Sequence, residues 1–313
     1  MTATDSSLTA EELATQPSCW RRAAALAGTE EAAAALPRRG ERVAVVGCGT
    51  SWFMAQAYAA LRESAGHGET DAFAASEFPY GRSYDRVIAI TRSGTTTEVL
   101  ELLGRLHGSV ATTSLTADPA TPVMTAADQV LVLDFADERS VVQTRFATTA
   151  LALLRAHLEA EQALPPGVAT VEQAAADAER ALAEPLPEGI LEVDQITFLG
   201  AGWTNGLALE AGLKMREAAV FWTEAYPAME YRHGPIAITA PGRAAWMLGA
   251  LPEGLAGDIA RTGGLLVAGS DRAAEGLDPL ADLVRVHRLA VVLAGARGLD
   301  VDNPRSLTRS VQL

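Results

Sequence analysis

The chain has 313 residues, 49% of them hydrophobic, and a formal net charge of −14. That length allows about two domains with sizeable cores, and no apolar run approaches the roughly 18 residues of a membrane span. The excess of negative charge argues against nucleic acid or an anionic membrane as partner, because phosphates would be repelled over most of the surface. It leaves room for a small anion held in one pocket by local dipoles.

The opening "MTATDSSLTAEELATQPSCW" has neither a basic start nor an apolar stretch of signal-peptide length. Cys19 and Cys48 make no disulfide framework and no ligand spacing. Together these features suit a cytoplasmic protein. The histidines at 67, 107, 157, 233 and 287 show no metal-ligand spacing either, so no metal is expected.

Residues 1–40 read as a helical segment. "RVAVVGCGTSWFMAQAYAALRES" (42–64) then reads as a short buried strand, a Gly-rich turn and an amphipathic helix. Further strands fit "DRVIAIT" (85–91), "SVATTSLT" (109–116) and "DQVLVLD" (128–134), and a long helix fits 144–162. The Ala- and Glu-rich stretch that follows, with prolines at both ends, reads as a linker helix over 164–189 rather than core. "QITFLGAGWTNGLALEAGLKMRE" (195–217) repeats the strand–turn–helix unit, with Gly200 aligning on Gly47 and Gly202 on Gly49. "RAAWMLGAL" (243–251) and "GLLVAGS" (264–270) are strand-like, and 282–298 passes into a helix. This alternation predicts an α/β fold: two similar three-layer αβα domains with mainly parallel sheets, over 41–163 and 190–313.

In open α/β sheets ligands sit beyond the carboxyl ends of the strands. "GCGTS" (47–51) and "TRSGTTTEV" (91–99) both fall there, bringing Thr50 and Ser51 beside Gly49, and Thr91, Ser93, Thr95 and Thr96 around Gly94. Such hydroxyls serve as ordinary helix caps. Alternatively, with the free amides of a helix N-terminus, they hold a phosphate. Two such loops in one domain favour the phosphate. Neither is a nucleotide motif, since "GCGTSW" lacks a third glycine and no G-x-x-x-x-G-K-[ST] occurs, so no cofactor is expected.

On the helix after the second Gly-rich turn, Glu210, Lys214 and Glu217 lie at i, i+4 and i+7 and share one face. That spacing fits a solvated, paired face. It also fits an acid–base group at the ligand end of a sheet. Further on, "EYRHGP" places His233 beside a turn. A carboxylate and a histidine near a phosphate are the groups that proton transfer on a sugar requires.

These residues resemble the tandem sugar-isomerase (SIS) domain family, most closely the isomerase halves of its amidotransferase members and their stand-alone relatives. "EELATQP", "GCGTS", "TRSGTTTE" and "ERSVVQTRFATT" (138–149) each match a family segment. So do "LEAGLKMREA…TEAYPAMEYRHGP" and "DVDNPRSLTRSV" (300–311), which are long and specific. The resemblance implies a sugar phosphate as substrate, held by Gly49, Thr50, Ser51, Thr91, Ser93, Gly94 and Thr96, with Val141 touching the sugar through its backbone. It implies Glu217 as the base moving a proton between C1 and C2 through an enediol or enolamine, with Lys214 in support. His233 would open the sugar ring from a neighbouring subunit, so a homodimer is expected.

Three departures bear on substrate. The chain starts at the isomerase part, with no glutaminase half. Arg92 and Thr95 replace a glutamine and a glutamate of the hydroxyl loop, adding a bidentate phosphate donor or reading a different sugar substituent. Arg309 stands at a C-terminal lysine position and cannot form a Schiff base. Aldose–ketose isomerisation, amino-sugar-phosphate deamination and cleavage of a phosphorylated sugar–amine adduct all fit Glu217 and His233. A non-catalytic sugar-phosphate regulator is the rival from another class.

Overall fold

The computed structural model describes residues 7–268 and 276–313. It opens with three helices, α1 (Leu8–Ala14), α2 (Gln16–Ala27) and α3 (Glu30–Ala35). The first half continues as β1 (Val43–Gly47), α4 (Thr50–Ser64), β2 (Thr70–Ala74), β3 (Arg86–Ile90), α5 (Thr97–Leu106), β4 (Ala111–Thr116), α6 (Val123–Ala126) and β5 (Gln129–Val132). α7 (Arg145–Ala160) and α8 (Val171–Ala183) lead to the second half. There β6 (Gln195–Gly200), α9 (Thr204–Ala219), β7 (Thr223–Pro227), β8 (Arg243–Met247), α10 (Leu255–Thr262), β9 (Leu265–Ala268) and α11 (Pro279–Ala296) follow.

Two parallel sheets result, ordered β2-β1-β3-β4-β5 and β7-β6-β8-β9. The central strands β1, β3 and β6 are buried at every residue, as parallel strands covered by helices on both faces must be. The α/β class with two three-layer αβα units is therefore the observed architecture. The edge strands β2 and β7, absent from the sequence reading, are half-buried and polar (TDAFA and TEAYP), which hides them from a search for apolar runs. The strand expected over 264–270 is β9; its last two positions lie outside the described residues.

The stretch expected as a linker is part of the core. α8 is started by a capping box, Thr170 with Gln173. It buries Val171, Ala174, Ala175, Ala178 and Ala181 in the same cluster as Trp20, Phe146, Phe198 and Trp246. Its alanines look neutral in sequence. They serve here as a thin face that lets α2, α7 and α11 approach.

α4 and α9, the helices after the two Gly-rich turns, pack against each other in opposite directions. A Cβ at Gly206 would stand 2.5 Å from the Phe53 carbonyl oxygen and 2.8 Å from the Ala57 nitrogen. Only glycine permits that approach. At the other end of the crossing, Leu213 reaches Gly49. α9 thus leaves the carboxyl edge of its own sheet and, about 20 Å on, delivers its last turns to the carboxyl edge of the first sheet.

Candidate active site

The two halves meet around a cavity of about 100 Å³, lined by Cys48, Gly49, Thr50, Arg92, Val141, Gln143, Glu217, Leu307, Thr308 and Arg309. β1 ends at Gly47, and the turn through Gly49 starts α4 at Thr50, which sets Thr50 and Ser51 in the buried first turn. From the second half α9 brings Lys214, 1% exposed, and Glu217, 20% exposed. Lys214 Nζ donates to Glu217 Oε2 at 2.7 Å and to Thr50 Oγ1 at 3.4 Å, and stands 3.3 Å from Glu210 Oε1. Burial lowers the proton affinity of Lys214, but Glu210 and Glu217 more than offset it, and its pKa lies above the ordinary lysine value. It is therefore an ammonium. α9 starts at the carboxyl edge of its own sheet and brings these side chains beside the first Gly-rich turn.

The hydroxyl loop runs from β3 to α5. Thr91, Arg92 and Ser93 are buried, and the Thr91 hydroxyl has no hydrogen-bond partner among the described residues. Gly94 turns with φ +62°, and a Cβ there would collide with Thr121 and Val123. Ser93 Oγ accepts from the Thr95 amide at 3.3 Å and lies 3.5 Å from Thr96 Oγ1. The C-terminal segment crosses this loop: Thr95 Oγ1 meets Ser310 Oγ at 2.9 Å, and the Thr97 amide donates to the Val311 carbonyl at 3.2 Å. Ser51, Thr91, Ser93, Gly94, Thr95 and Thr96 border the cavity's strands and helix starts without lining it.

Arg92 lines the cavity. Its Nη1 donates to the Ser140 carbonyl at 3.0 Å, and its Nη2 to the carbonyls of Val141 at 3.1 Å and Arg309 at 3.2 Å. Glu138 Oε2 is 3.6 Å away. Its two Nη groups are thus turned to carbonyls of the cavity wall, while Nε has no hydrogen-bond partner among the described residues. Arg309 lies beside it, donating to the Glu138 carbonyl and to Asp137 Oδ1, the latter at 2.5 Å.

Glu138, which the sequence reading did not single out, organises that wall. Fully buried, it accepts from the amides of Thr144, Arg145 and Phe146 at 2.6, 2.7 and 3.2 Å, which caps α7. An acidic residue a few positions before a long helix was the available signal. Glu12 of α1 likewise receives Arg139 N–H and Ser140 N–H at 2.5 and 3.2 Å. Asp302 caps α1 in turn, through the amides of Leu8 and Thr9 at 2.9 and 2.8 Å.

His233 is not brought to this cavity. It ends the 3-10 turn Glu230–His233 after β7 and is exposed. Cys48 lines the cavity, but burial first, then Glu98, pushes its thiol up to about 11, so it is no thiolate nucleophile near neutral pH. Among the described residues no cluster of three or more His, Cys, Asp or Glu could hold a metal ion. No helix among them is long and apolar enough to cross a membrane.

Fold and site together define a two-sheet αβα protein with a ligand cavity between its halves. Solved structures share its fold. One is a glucosamine-6-phosphate deaminase from Thermotoga maritima, with TM-score 0.82 and 23% identity, covering 98% of this chain and 100% of that one. Another is the tagatose-6-phosphate ketose/aldose isomerase of Escherichia coli, with TM-score 0.79 and 20% identity, covering 100% and 97%. In sequence, the chain is 30% identical to a glutamine–fructose-6-phosphate aminotransferase (isomerizing) from a Nostoc species, over 87% of this chain and 52% of that protein. The chain spans about half the length of the curated relatives it matches, and the half it matches is their isomerase part. No protein-family model matches it.

Proposed function

We propose that the chain is a phosphosugar isomerase, acting on a hexose phosphate or amino-hexose phosphate by moving a proton between C1 and C2. The observation that carries the reading is the Lys214 ammonium standing between Glu217 and Thr50, where the acid–base helix meets the hydroxyl-bearing turn. The cations at or beside the cavity, Arg92, Arg309 and Lys214, each stand next to a carboxylate, so an anion there would be held chiefly by hydroxyls and by the free amides at the start of α4. The relatives named for sugar-phosphate chemistry support the same substrate class.

In this reading the hydroxyls of the two loops hold the phosphate, and that remote binding energy helps the reacting end reach a poor carbanion-like transition state. Glu217 takes the proton from one carbon and returns it to its neighbour. The Lys214 ammonium stabilises the negative charge that develops on the enediol oxygen. Where the sugar carries a C2 amine, the intermediate is an enolamine; protonation at C1 turns it into a C2 imine, which water hydrolyses to the ketose and ammonia. His233, exposed and away from its own chain's cavity, acts in the cavity of a second copy.

The test is to incubate the protein with fructose 6-phosphate, tagatose 6-phosphate and glucosamine 6-phosphate, and to follow ketose, aldose and ammonia. Conversion of one sugar phosphate, lost in Glu217→Gln, supports the reading. Binding of a sugar phosphate without conversion turns it into a regulator.

A further inference from the structure

Behind the acid–base helix lies a second polar group sealed from solvent. Glu210, one turn before Lys214, is 1% exposed, and neither of its oxygens accepts a well-formed hydrogen bond. Facing it from α11 is His287, also 1% exposed, with Nε2 3.8 Å from Glu210 Oε1. The other ring nitrogen, Nδ1, meets Gln16 Nε2 of α2 at 3.3 Å.

The orientation of Gln16 follows from its neighbours. The Leu13 carbonyl lies 3.3 Å from Gln16 Nε2 and can only accept, so the amide NH2 end faces both it and His287. Gln16 Oε1, at the other end, accepts from the Thr148 hydroxyl at 2.8 Å, while the Trp20 indole N–H donates to that hydroxyl oxygen at 3.1 Å. Nδ1 of His287 is therefore an acceptor. Its ring proton sits on Nε2, assigned from the network; that nitrogen has no hydrogen-bond partner among the described residues and lies 3.8 Å from Glu210 Oε1. Burial first, and then the Lys214 charge, holds this imidazole well below its ordinary pKa, so it stays neutral.

From this geometry we infer that His287, oriented by Gln16, is a positioning residue for proton transfer: its Nε2–H favours the carboxylate form of Glu210 and thereby sets the basicity of Glu217. The inference rests on the reading of Glu217 as the base. With Glu210 ionised, one ammonium is shared between two carboxylates, and Glu217 is the stronger base. With Glu210 protonated, Lys214 acts on Glu217 alone and weakens it. The groups facing Glu210 are Lys214 and Glu217 on its own helix, Thr50 on α4 and His287 on α11. Burial pushes the Glu210 carboxyl up to about 7, so the two forms exchange near neutral pH.

The test is the pH dependence of kcat and KM for proton exchange on a sugar phosphate. It compares the wild type with His287→Leu, His287→Gln and Glu210→Gln. Expected is an acid limb of kcat moved up by about one pH unit in His287→Leu, giving an approximately tenfold loss near pH 6 and little loss above pH 8. KM should hold steady. His287→Gln, which keeps an N–H donor, should restore most of the shift, and His287→Leu added to Glu210→Gln should move nothing further. A loss uniform across pH, or a full effect of His287→Leu in the Glu210→Gln background, overturns the inference and leaves His287 a packing residue. If the wild type exchanges no sugar proton, the reading of the site fails. The pairing is then decided by carbon-13 NMR titration of Glu210, identified by its loss in Glu210→Gln. A carboxyl that titrates higher in His287→Leu keeps it; an unmoved one ends it.

Discussion

Lys214 Nζ lies 2.7 Å from Glu217 Oε2 and 3.4 Å from Thr50 Oγ1, and so joins the last turns of α9 to the first turn of α4. The contact spans the two halves of the chain. It exists because α4 and α9 cross in opposite directions at glycine distance, so that the end of one helix meets the start of the other. Removing the ammonium would leave Glu210 and Glu217 facing each other across a buried site. Lys214→Met is therefore expected to destabilise the fold by about 3–5 kcal/mol and to abolish activity. Adding Glu210→Gln should recover part of the stability but none of the activity, as chemical denaturation and an isomerase assay would show.

The helix crossing makes its own prediction. Gly206→Ala places a methyl group against the backbone of Phe53 and Ala57, for an expected cost of about 1–3 kcal/mol. Because the crossing also sets where Lys214 stands, activity should fall more steeply than stability. An unchanged melting temperature with unchanged kcat would contradict the packing described.

Glu210 gives stability a signed pH dependence. Its folded pKa, about 7, is raised above the ordinary 4.5. The folded state therefore binds the proton more tightly than the unfolded chain does. Its contribution is fully present below about pH 4.5 and is lost as pH rises through about 7, a change of about 3 kcal/mol. Stability of the wild type minus that of Glu210→Gln, measured by denaturation from pH 4 to 8, should fall by that amount across this window. A flat difference would remove the buried, raised carboxyl from the account.

Arg92 is expected to matter through the wall it builds. Arg92→Ala strips donors from the carbonyls of Ser140, Val141 and Arg309 and leaves Glu138 without its nearest cation. A loss of about 2–4 kcal/mol is expected, with faster proteolysis of the segment after residue 300. A variant that keeps its stability but loses only phosphate affinity would instead make Arg92 the free donor that the sequence suggested.

Much of this architecture was legible in the residues. The buried β-branched runs marked the central strands, and the paired glycines marked both turns. The hydroxyl loops and the Glu210–Lys214–Glu217 face stood out for their chemistry. The edge strands β2 and β7 did not, because half-exposed strands carry Thr, Asp and Glu and break the apolar pattern. The role of α8 was hidden because an alanine face reads the same in solvent and in a tight helix contact. The resemblance already joined Glu217 to the phosphate loops of the first half; the antiparallel helix crossing at Gly206 that brings α9 to them was not legible in the residues. Glu138 and Glu12 are capping carboxylates whose partners lie in loops, and a loop's path is not written in periodicity.

His233 divides one-chain from two-chain chemistry. If a second copy completes the cavity, mixing inactive Glu217→Gln with inactive His233→Ala protein should restore one of the two sites in each mixed pair. Activity recovered on mixing and subunit exchange supports that reading. No recovery from subunits shown to exchange would confine the chemistry to a single chain.

The central claim is that Glu217 moves a proton between C1 and C2 of a sugar phosphate. Proton NMR in heavy water tests it most directly, with fructose 6-phosphate, tagatose 6-phosphate and glucosamine 6-phosphate each mixed with the protein. The account predicts deuterium at C1 or C2 of one of these sugars, at a rate reduced about 10²–10⁴-fold in Glu217→Gln while the sugar still raises the melting temperature of both proteins. Exchange that persists at full rate in Glu217→Gln, or tight binding of a sugar phosphate with no exchange in the wild type, would contradict it.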